Sequence, residues 1–340
     1  MRRKISLMLI GLFMAVSVFG PAQASRLDEI RERGTLRCGV TPLGESLTAR
    51  DVEGRFVGFY PDFCRAIATA VTGGTDTVEF VLVGTNNRFD AIRSPDLDVL
   101  VEATTWTLSR ATGMGLSFTA PYLFDGQAFL VSRKARYRHI PDLKGASVCV
   151  EGDSTSLENL KAYNTAKGLG LKIMEFSTIE AAFSALVERR CDAVSTDYTI
   201  LASIMLSLAS NPSEFALLPE LISKEPLTPV VRAGDEAWAN VVRWVVHATL
   251  EAEEMGITAA NADRLRKEGP PEVRRFLGAE PGFGRTLGLD DAWAYRVVKA
   301  VGNYGEIFAR NLGEGSRLKL PRAANALWRD GGLLWAPPMR

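Results

Sequence analysis

Two successive series of alternating strand-type and helix-type segments constrain the fold of this chain more than any other feature. The first series predicts strands at 36–40, 78–83 and 97–101, with helical spacing at 64–71 and 88–93. The second series predicts strands at 146–150, 171–176 and 191–195, with helices at 154–166, at 179–188 and from 198 onward. Strands that alternate with helices form mostly parallel sheets. The sequence therefore predicts an α/β protein built from two units of similar plan.

Two segments connect these units, because the chain enters the second unit near 122–131 and leaves it near 224–231. From residue 235 to the C-terminus the pattern is mostly helical and forms an extension to the α/β part. One face of a predicted helix in this extension carries Trp293, Val297, Val301 and Phe308. An apolar stripe at this spacing is more typical of core packing than of a ligand site.

The first 24 residues have the three-part layout of a secretory signal peptide. Basic residues at positions 2–4 precede an almost wholly apolar run over 5–20, and the tripeptide Ala-Gln-Ala at 22–24 supplies small residues before a cleavage site. A membrane anchor is the alternative, but the apolar run is short for a bilayer core about 30 Å thick. We expect cleavage after Ala24 and export of the mature chain to the periplasm.

Export places the four cysteines in an oxidising compartment, where an even number favours disulfides. Three pairings are possible. We favour Cys38–Cys64 together with Cys149–Cys191, because each bond then closes within one α/β unit. A zinc site is not expected, because the chain has no Cys-x-x-Cys spacing and two histidines in all. We expect no metal and no other cofactor.

The composition argues against several classes of function. The 40 basic and 40 acidic residues leave no overall positive field, so nucleic acid is not an expected partner. The G-x-S-x-G, H-E-x-x-H, P-loop and G-x-G-x-x-G motifs are missing from the sequence, which lowers the expectation of an enzyme. An enzyme is still possible, since Glu102 or Glu151 could act as a general acid or base if burial raised its pKa.

Polar segments follow the predicted strands, and ligands of open α/β sheets bind at the carboxyl ends of strands. The segment 104–110 offers the hydroxyls of Thr104 and Thr105 and the guanidinium of Arg110, which can bind a carboxylate through two parallel hydrogen bonds. The segment 152–156 places Ser154 and Thr155 at the start of a helix, where backbone N–H groups attract an anion.

A carboxylate completes this set, because Asp197 follows the strand at 191–195 and could hold an ammonium group. Together the three positions predict a receptor for a zwitterion. Each also has a structural interpretation. Arg110 could form a surface ion pair, and Ser154 or Asp197 could cap the helix that follows it.

Motifs along nearly the whole mature chain resemble those of the periplasmic polar amino-acid-binding proteins of ABC importers, and in particular their long-chain general L-amino-acid-binding branch. These motifs are L-R-C-G-V (36–40), D-F-C-R-A-I-A (62–68), T-T-W-T-L-S-R (104–110), G-A-S-V-C-V (145–150), R-C-D-A-V-S-T-D (190–197), I-S-K-E-P-L-T-P-V-V-R (222–232), D-D-A-W-A-Y (290–295), V-G-N-Y-G-E-I-F (301–308) and A-L-W-R-D-G-G-L-L-W-A-P-P (326–338).

The resemblance implies a bilobal periplasmic-binding-protein fold of type II, with a two-strand hinge and closure around one L-amino acid. By motif, Arg110 would bind the ligand carboxylate with help from Thr105 and Thr155, and Asp197 would bind the ammonium. The predicted division is a signal peptide at 1–24, a first lobe of 25–127 plus 229–340 with the helical extension, and a second lobe of 128–228. We expect a monomer that delivers its ligand to an ABC permease complex in the inner membrane. Delivery to a sensor receptor and a dehydratase on the same scaffold are the alternatives.

The chain departs from the branch at positions near the expected ligand side chain. Glu102-Ala103 replaces the usual Arg-Asn before T-T-W-T, and Asp153 replaces a usual Gly. These changes add negative charge, so we expect neutral or cationic ligands to bind better than acidic ones. The role of the extension is expected to be packing against the first lobe.

Overall fold

The computed structural model describes residues 25–339, and the predicted signal peptide with its cleavage site after Ala24 lies outside them. The first of two five-stranded sheets has the spatial order β4 (Val78–Leu82), β1 (Leu36–Val40), β5 (Val99–Leu100), β14 (Val230–Arg232) and β6 (Leu116–Phe118). Around it lie α1 (Arg26–Arg33), α2 (Phe59–Thr72), α3 (Arg88–Arg93), α4 (Leu108–Gly113) and the hairpin strands β2 (Ala49–Arg50) and β3 (Phe56–Val57). β1 is parallel to β4 and β5, whereas β14 is antiparallel to β5 and β6.

The second sheet repeats this plan. Its spatial order is β10 (Lys172–Phe176), β9 (Ser147–Glu151), β11 (Ala193–Asp197), β8 (Gln127–Ser132) and β12 (Phe215–Leu217). Its helices are α5 (Thr155–Lys167), α6 (Ile179–Val187) and α7 (Tyr198–Leu208). β9 is parallel to β10 and β11, and β8 is antiparallel to β11 and β12. The predicted α/β class is therefore correct for both units.

The two sheets are joined by a short antiparallel pair, β7 (Leu123–Asp125) and β13 (Glu225–Leu227). After β6 the chain passes through β7 into the second sheet, and it returns through β13 to place β14 back in the first sheet. This is the predicted bilobal fold with a two-strand hinge. We call the half built on the first sheet the first lobe and the other half the second lobe. The lobe boundaries at 127/128 and 228/229 stay predictions.

The C-terminal extension is helical, as expected. It begins with α8 (Glu236–Glu254) and continues with α9 (Ala262–Glu268), α10 (Pro271–Phe276), α11 (Phe283–Thr286), α12 (Trp293–Val301) and α13 (Tyr304–Asn311). The prediction that Phe308 continues the face of Trp293 is wrong, because the helix ends at Gly302, which has a φ of 87°. Asn303 and Glu306 then form a capping box that begins α13. Both aromatic side chains are nevertheless buried in the core. Within residues 25–339 no helix has the length and apolar character needed to cross a membrane.

The extension packs on the first lobe, since α8 and α12 both contact α2, and it also reaches the hinge. The side-chain amide of Asn325 accepts a hydrogen bond from the backbone N–H of Phe124 (2.7 Å) and donates one to the carbonyl of the same residue (2.9 Å). The Tyr304 hydroxyl donates to the carbonyl of Tyr122 (2.8 Å). The expected packing on the first lobe is therefore an incomplete account of the extension.

Both favoured disulfides are present, with Cα–Cα distances of 6.0 Å for Cys38–Cys64 and 6.0 Å for Cys149–Cys191. The first joins β1 to α2. The second joins β9 to the residues just before β11. Each lobe therefore has one bond that fastens elements of its own sheet layer, and the described part of the chain has no free cysteine.

Candidate functional site

The carboxyl ends of β5, β9 and β11 meet at the cleft between the lobes. Thr105, which follows β5, forms an isolated β-bridge with Leu227 of the hinge. Its hydroxyl oxygen lies 3.4 Å from that of Thr155, the first residue of α5 in the second lobe. The structure thus brings the first two predicted segments together across the cleft.

Arg110 lies on α4, which begins after Thr107, and the Thr107 hydroxyl accepts from the backbone N–H of Arg110 (3.3 Å). The Arg110 side chain is buried, donates one hydrogen bond to the carbonyl of Thr105 (3.1 Å) and lies over the ring of Phe89 at 5.1 Å. Burial, reinforced by the nearby charge of Arg88, lowers the pKa of Arg110 to about 10, so the guanidinium stays charged at neutral pH. No described residue forms a salt bridge with Arg110, which leaves this buried cation available to an anion.

Asp197 is the last residue of β11 and is 4% exposed. It occupies the position before α7, but its side chain accepts no capping hydrogen bond there. Among residues 25–339 no group donates a hydrogen bond to this carboxylate. Burial, and then the nearby carboxylates of Asp125 and Glu225, raises the pKa of Asp197 well above its usual range. An ammonium group in the cleft would favour the charged form, whereas helix capping does not account for this residue.

The other predicted hydroxyls differ in what they offer a ligand. Ser154 caps α5, because its hydroxyl accepts from the N–H of Leu157 (3.1 Å) and donates to the carbonyl of Glu151 (2.7 Å). Thr105 donates to a carboxylate oxygen of Glu225 in the hinge (2.5 Å). Thr104 is fully buried and donates to Glu102. The Ser154 and Thr104 hydroxyls are therefore occupied by contacts within the chain.

Arg88, the first residue of α3, is not among the predicted site residues, because its segment is predicted only as a helix. Its Nη1 lies 3.2 Å from Oε2 of Glu102, and both side chains are almost completely buried. The Nε of Arg88 is buried without a hydrogen-bond partner among the described residues. Glu102 therefore does not add net negative charge near the ligand as expected, since Arg88 neutralises it. Arg88 lies 14 positions before Glu102 in the sequence, and no motif indicates that the two side chains are in contact.

Asp153 takes the place of a usual glycine and has a φ of 53°, in the left-handed region that glycine adopts most easily. Its side chain is exposed, so water screens its charge. It lines a cavity of about 620 Å³ that Arg110 also lines. Asp153 therefore lies at the mouth of the cleft rather than in its buried part.

Two wide cavities flank a narrow buried pocket. The narrow pocket has a volume of about 30 Å³ and is lined by Asp197, Glu102 and Arg88 among others. It shares Thr85, Ser154 and Thr155 with the 620 Å³ cavity of Arg110, and it adjoins a second cavity of about 560 Å³, with which it shares Thr41, Leu43, Thr85 and Glu151. A buried cation and a buried carboxylate, neither of them paired within residues 25–339, thus face connected spaces from opposite lobes.

Residues 36–256 match the family described as bacterial extracellular solute-binding proteins, family 3. The chain belongs to this family. It is 40% identical, over 100% of both chains, to the general L-amino acid-binding periplasmic protein AapJ of Rhizobium johnstonii. It is 39% identical to the glutamate/glutamine/aspartate/asparagine-binding protein BztA of Rhodobacter capsulatus, over 96% of this chain and 97% of that protein.

A solved structure supports the same conclusion about the fold. The ABC transporter periplasmic binding protein from Brucella ovis with glutathione bound is 41% identical and superposes with a TM-score of 0.91, covering 93% of this chain and 100% of that chain. Members of family 3 are extracellular solute-binding proteins, and the full-length Rhizobium relative is named as periplasmic. This family-3 chain is therefore assigned to the periplasm.

Proposed function

We propose that this protein captures an L-amino acid, or a small derivative that keeps free α-amino and α-carboxylate groups, between its two lobes and delivers it to an ABC importer in the inner membrane. The observation that carries this proposal is the pair of buried, unpaired charges on opposite lobes. Arg110 would bind the α-carboxylate and Asp197 the α-ammonium. A charge pair left unmatched in a low-dielectric cleft is costly, so a dipolar ligand of opposite polarity stabilises the closed form.

Thr155 supports the carboxylate end of this assignment, and Thr105, whose hydroxyl donates to Glu225, positions it from across the cleft. Thr104 and Glu102 act through other residues, since Thr104 donates to Glu102 and Glu102 pairs with Arg88. Ser154 would contribute by capping α5, which orients the first N–H groups of that helix toward the anion. Closure would shift an equilibrium between open and closed forms, and a partner would recognise the closed form.

A small peptide can carry the same pair of charges as a free amino acid. Glutathione, bound in the Brucella ovis relative, carries a free α-amino and α-carboxylate pair on its γ-glutamyl carbon. The same two charges in this chain could bind that end.

Because the full-length relatives are named as binding proteins, we assign a binding role and not the dehydratase alternative. We further propose that the protein is a monomer with no nucleic-acid partner. Ligand uptake by membrane vesicles that contain an ABC permease, rather than signalling through a receptor, would distinguish import from sensing.

Ligand binding by the mature protein tests the assignment. Amino acids that bind should raise the melting temperature, because they bind the folded state alone. Arg110→Ala and Asp197→Asn should each weaken binding by about 100-fold or more in calorimetry, because each leaves a ligand charge buried without its partner.

Arg93→Ala is a matched control, since Arg93 lines the same cavity as Arg110 but is exposed and paired with Asp90 (2.7 Å). This variant should bind as the wild type does. A folded Arg110→Ala variant with unchanged affinity would refute the assignment, as would a wild-type protein that binds no L-amino acid and no glutathione.

A further inference from the structure

The cavity of about 560 Å³ extends the ligand pocket on a side that Arg110 does not line. It shares Thr41, Leu43 and Glu151 with the narrow pocket that holds Asp197. The hydroxyl oxygen of Thr41 is buried without a hydrogen-bond partner among the described residues. If Arg110 and Asp197 bind the two charges of the backbone, a ligand side chain that continues past Thr41 enters this cavity, which we call the end pocket.

The end pocket combines an apolar wall with two carboxylates. Val83 and Ile179 contribute to the apolar part, and Glu151 and Glu180 supply the acidic groups. Among the described residues that line it, none is a lysine, arginine or histidine. Such a lining suits a long aliphatic side chain that ends in a positive charge, and it opposes a terminal carboxylate.

The charges of the cleft lead to the same ligand class. In the proposed complex the ligand carboxylate and ammonium match Arg110 and Asp197. Arg88 and Glu102 match each other at 3.2 Å. Glu151 is half-buried, lines the end pocket and forms no ion pair among residues 25–339, whereas Asp125 and Glu225 do not line that pocket.

We propose, on the basis of the function above, that the end pocket binds the cationic end of a long ligand side chain and that Glu151 is the residue that selects it. The ligand class is thereby narrowed to L-amino acids such as lysine, arginine and ornithine. Glu180 adds to the negative potential from the first turn of α6. The acidic pocket also discriminates against glutathione, whose glycyl carboxylate would have to enter it.

The titration of Glu151 is consistent with this assignment. Burial, with smaller contributions from the carboxylates of Glu180 and Glu102, raises the pKa of Glu151 to about 7, while Thr85 and the Arg88 charge oppose the shift. A bound cation would restore the charged form. The protein would therefore bind a cationic side chain more tightly as the pH rises through 7.

The test compares L-lysine with L-norleucine, which has the same aliphatic chain without the terminal ammonium. Calorimetry on the wild type at pH 8 should show lysine binding at least tenfold more tightly than norleucine. Glu151→Gln should reduce this ratio to within about threefold while norleucine affinity stays within about threefold of wild type. Asp90→Asn removes one negative charge from the cavity of Arg110 and should leave the ratio unchanged.

Several results would overturn the inference. These are equal affinities of the wild type for lysine and norleucine, tighter binding of L-glutamate or glutathione than of lysine, and equal weakening of both ligands by Glu151→Gln. If Glu151→Gln fails to fold, Glu180→Gln gives the same comparison from α6, with a smaller reduction expected. Binding of other L-amino acids or of glutathione in any of these cases leaves the proposed function intact, whereas failure to bind any of them overturns both.

Discussion

Loss of the Asn325 side chain should destabilise the protein by releasing its C-terminal extension from the hinge. Asn325 is 8% exposed and makes two hydrogen bonds with the backbone of Phe124, at 2.7 and 2.9 Å. Each bond contributes about 1 kcal/mol, and a backbone group left without its partner adds up to about 1 kcal/mol where water cannot replace it. We therefore expect Asn325→Ala to lower the free energy of unfolding by about 2–3 kcal/mol.

Asn164 provides a matched comparison within the second lobe. Its amide also makes two reciprocal hydrogen bonds with one backbone, that of Leu171, at 2.9 and 3.2 Å. Asn164→Ala should therefore cost a similar free energy. Asn325→Ala alone should also expose the segment after α13 to protease, because this segment loses its attachment to β7.

Urea unfolding followed by tryptophan fluorescence would measure both free energies, and limited proteolysis with mass spectrometry would locate the cleavage. A loss below about 0.5 kcal/mol for Asn325→Ala, alongside the full expected loss for Asn164→Ala, would show that the attachment to the hinge does not contribute in solution. Equal protease resistance of the two variants would lead to the same conclusion.

Further predictions concern the disulfides and a buried histidine. Replacing both cysteines of a pair by serine should lower the free energy of unfolding by about 3.5 kcal/mol for Cys38–Cys64 and by about 4 kcal/mol for Cys149–Cys191, because the loops span 26 and 42 residues. Replacing two exposed surface residues by serine is the control. An equal loss for this control in denaturant unfolding would contradict the prediction. Burial, and then the charge of Arg243, lowers the pKa of His247 to about 4. As the pH falls, His247 takes up a proton near pH 6.5 in the unfolded chain but not in the folded chain. The free energy of unfolding should therefore decrease by about 2 kcal/mol between pH 7 and pH 5. His247→Leu should flatten this part of the stability profile, and an unchanged profile would rule out His247 as its origin.

The sequence determined the parts of this protein that depend on local pattern. The alternation of strand and helix segments predicted both sheets, and the positions of the four cysteines within the two units predicted their pairing. Arg110 and Asp197 were found because each follows a strand, and strand ends of one sheet point to one edge. The local pattern gave one wrong prediction, at Phe308. The helical spacing of apolar residues continues past Gly302, whereas the helix itself ends there.

Tertiary structure decided which charges of the cleft are free and which are matched. Glu102 adds no net charge because Arg88 reaches it from another element, and Asp197 is unpaired because no donor among residues 25–339 approaches it. The attachment of Asn325 to Phe124 joins residues 201 positions apart, and no local pattern encodes such a contact. The contacts between side chains across the cleft depend on how the two lobes pack. The volume available to a ligand and the charge of the end pocket are therefore determined by the tertiary structure.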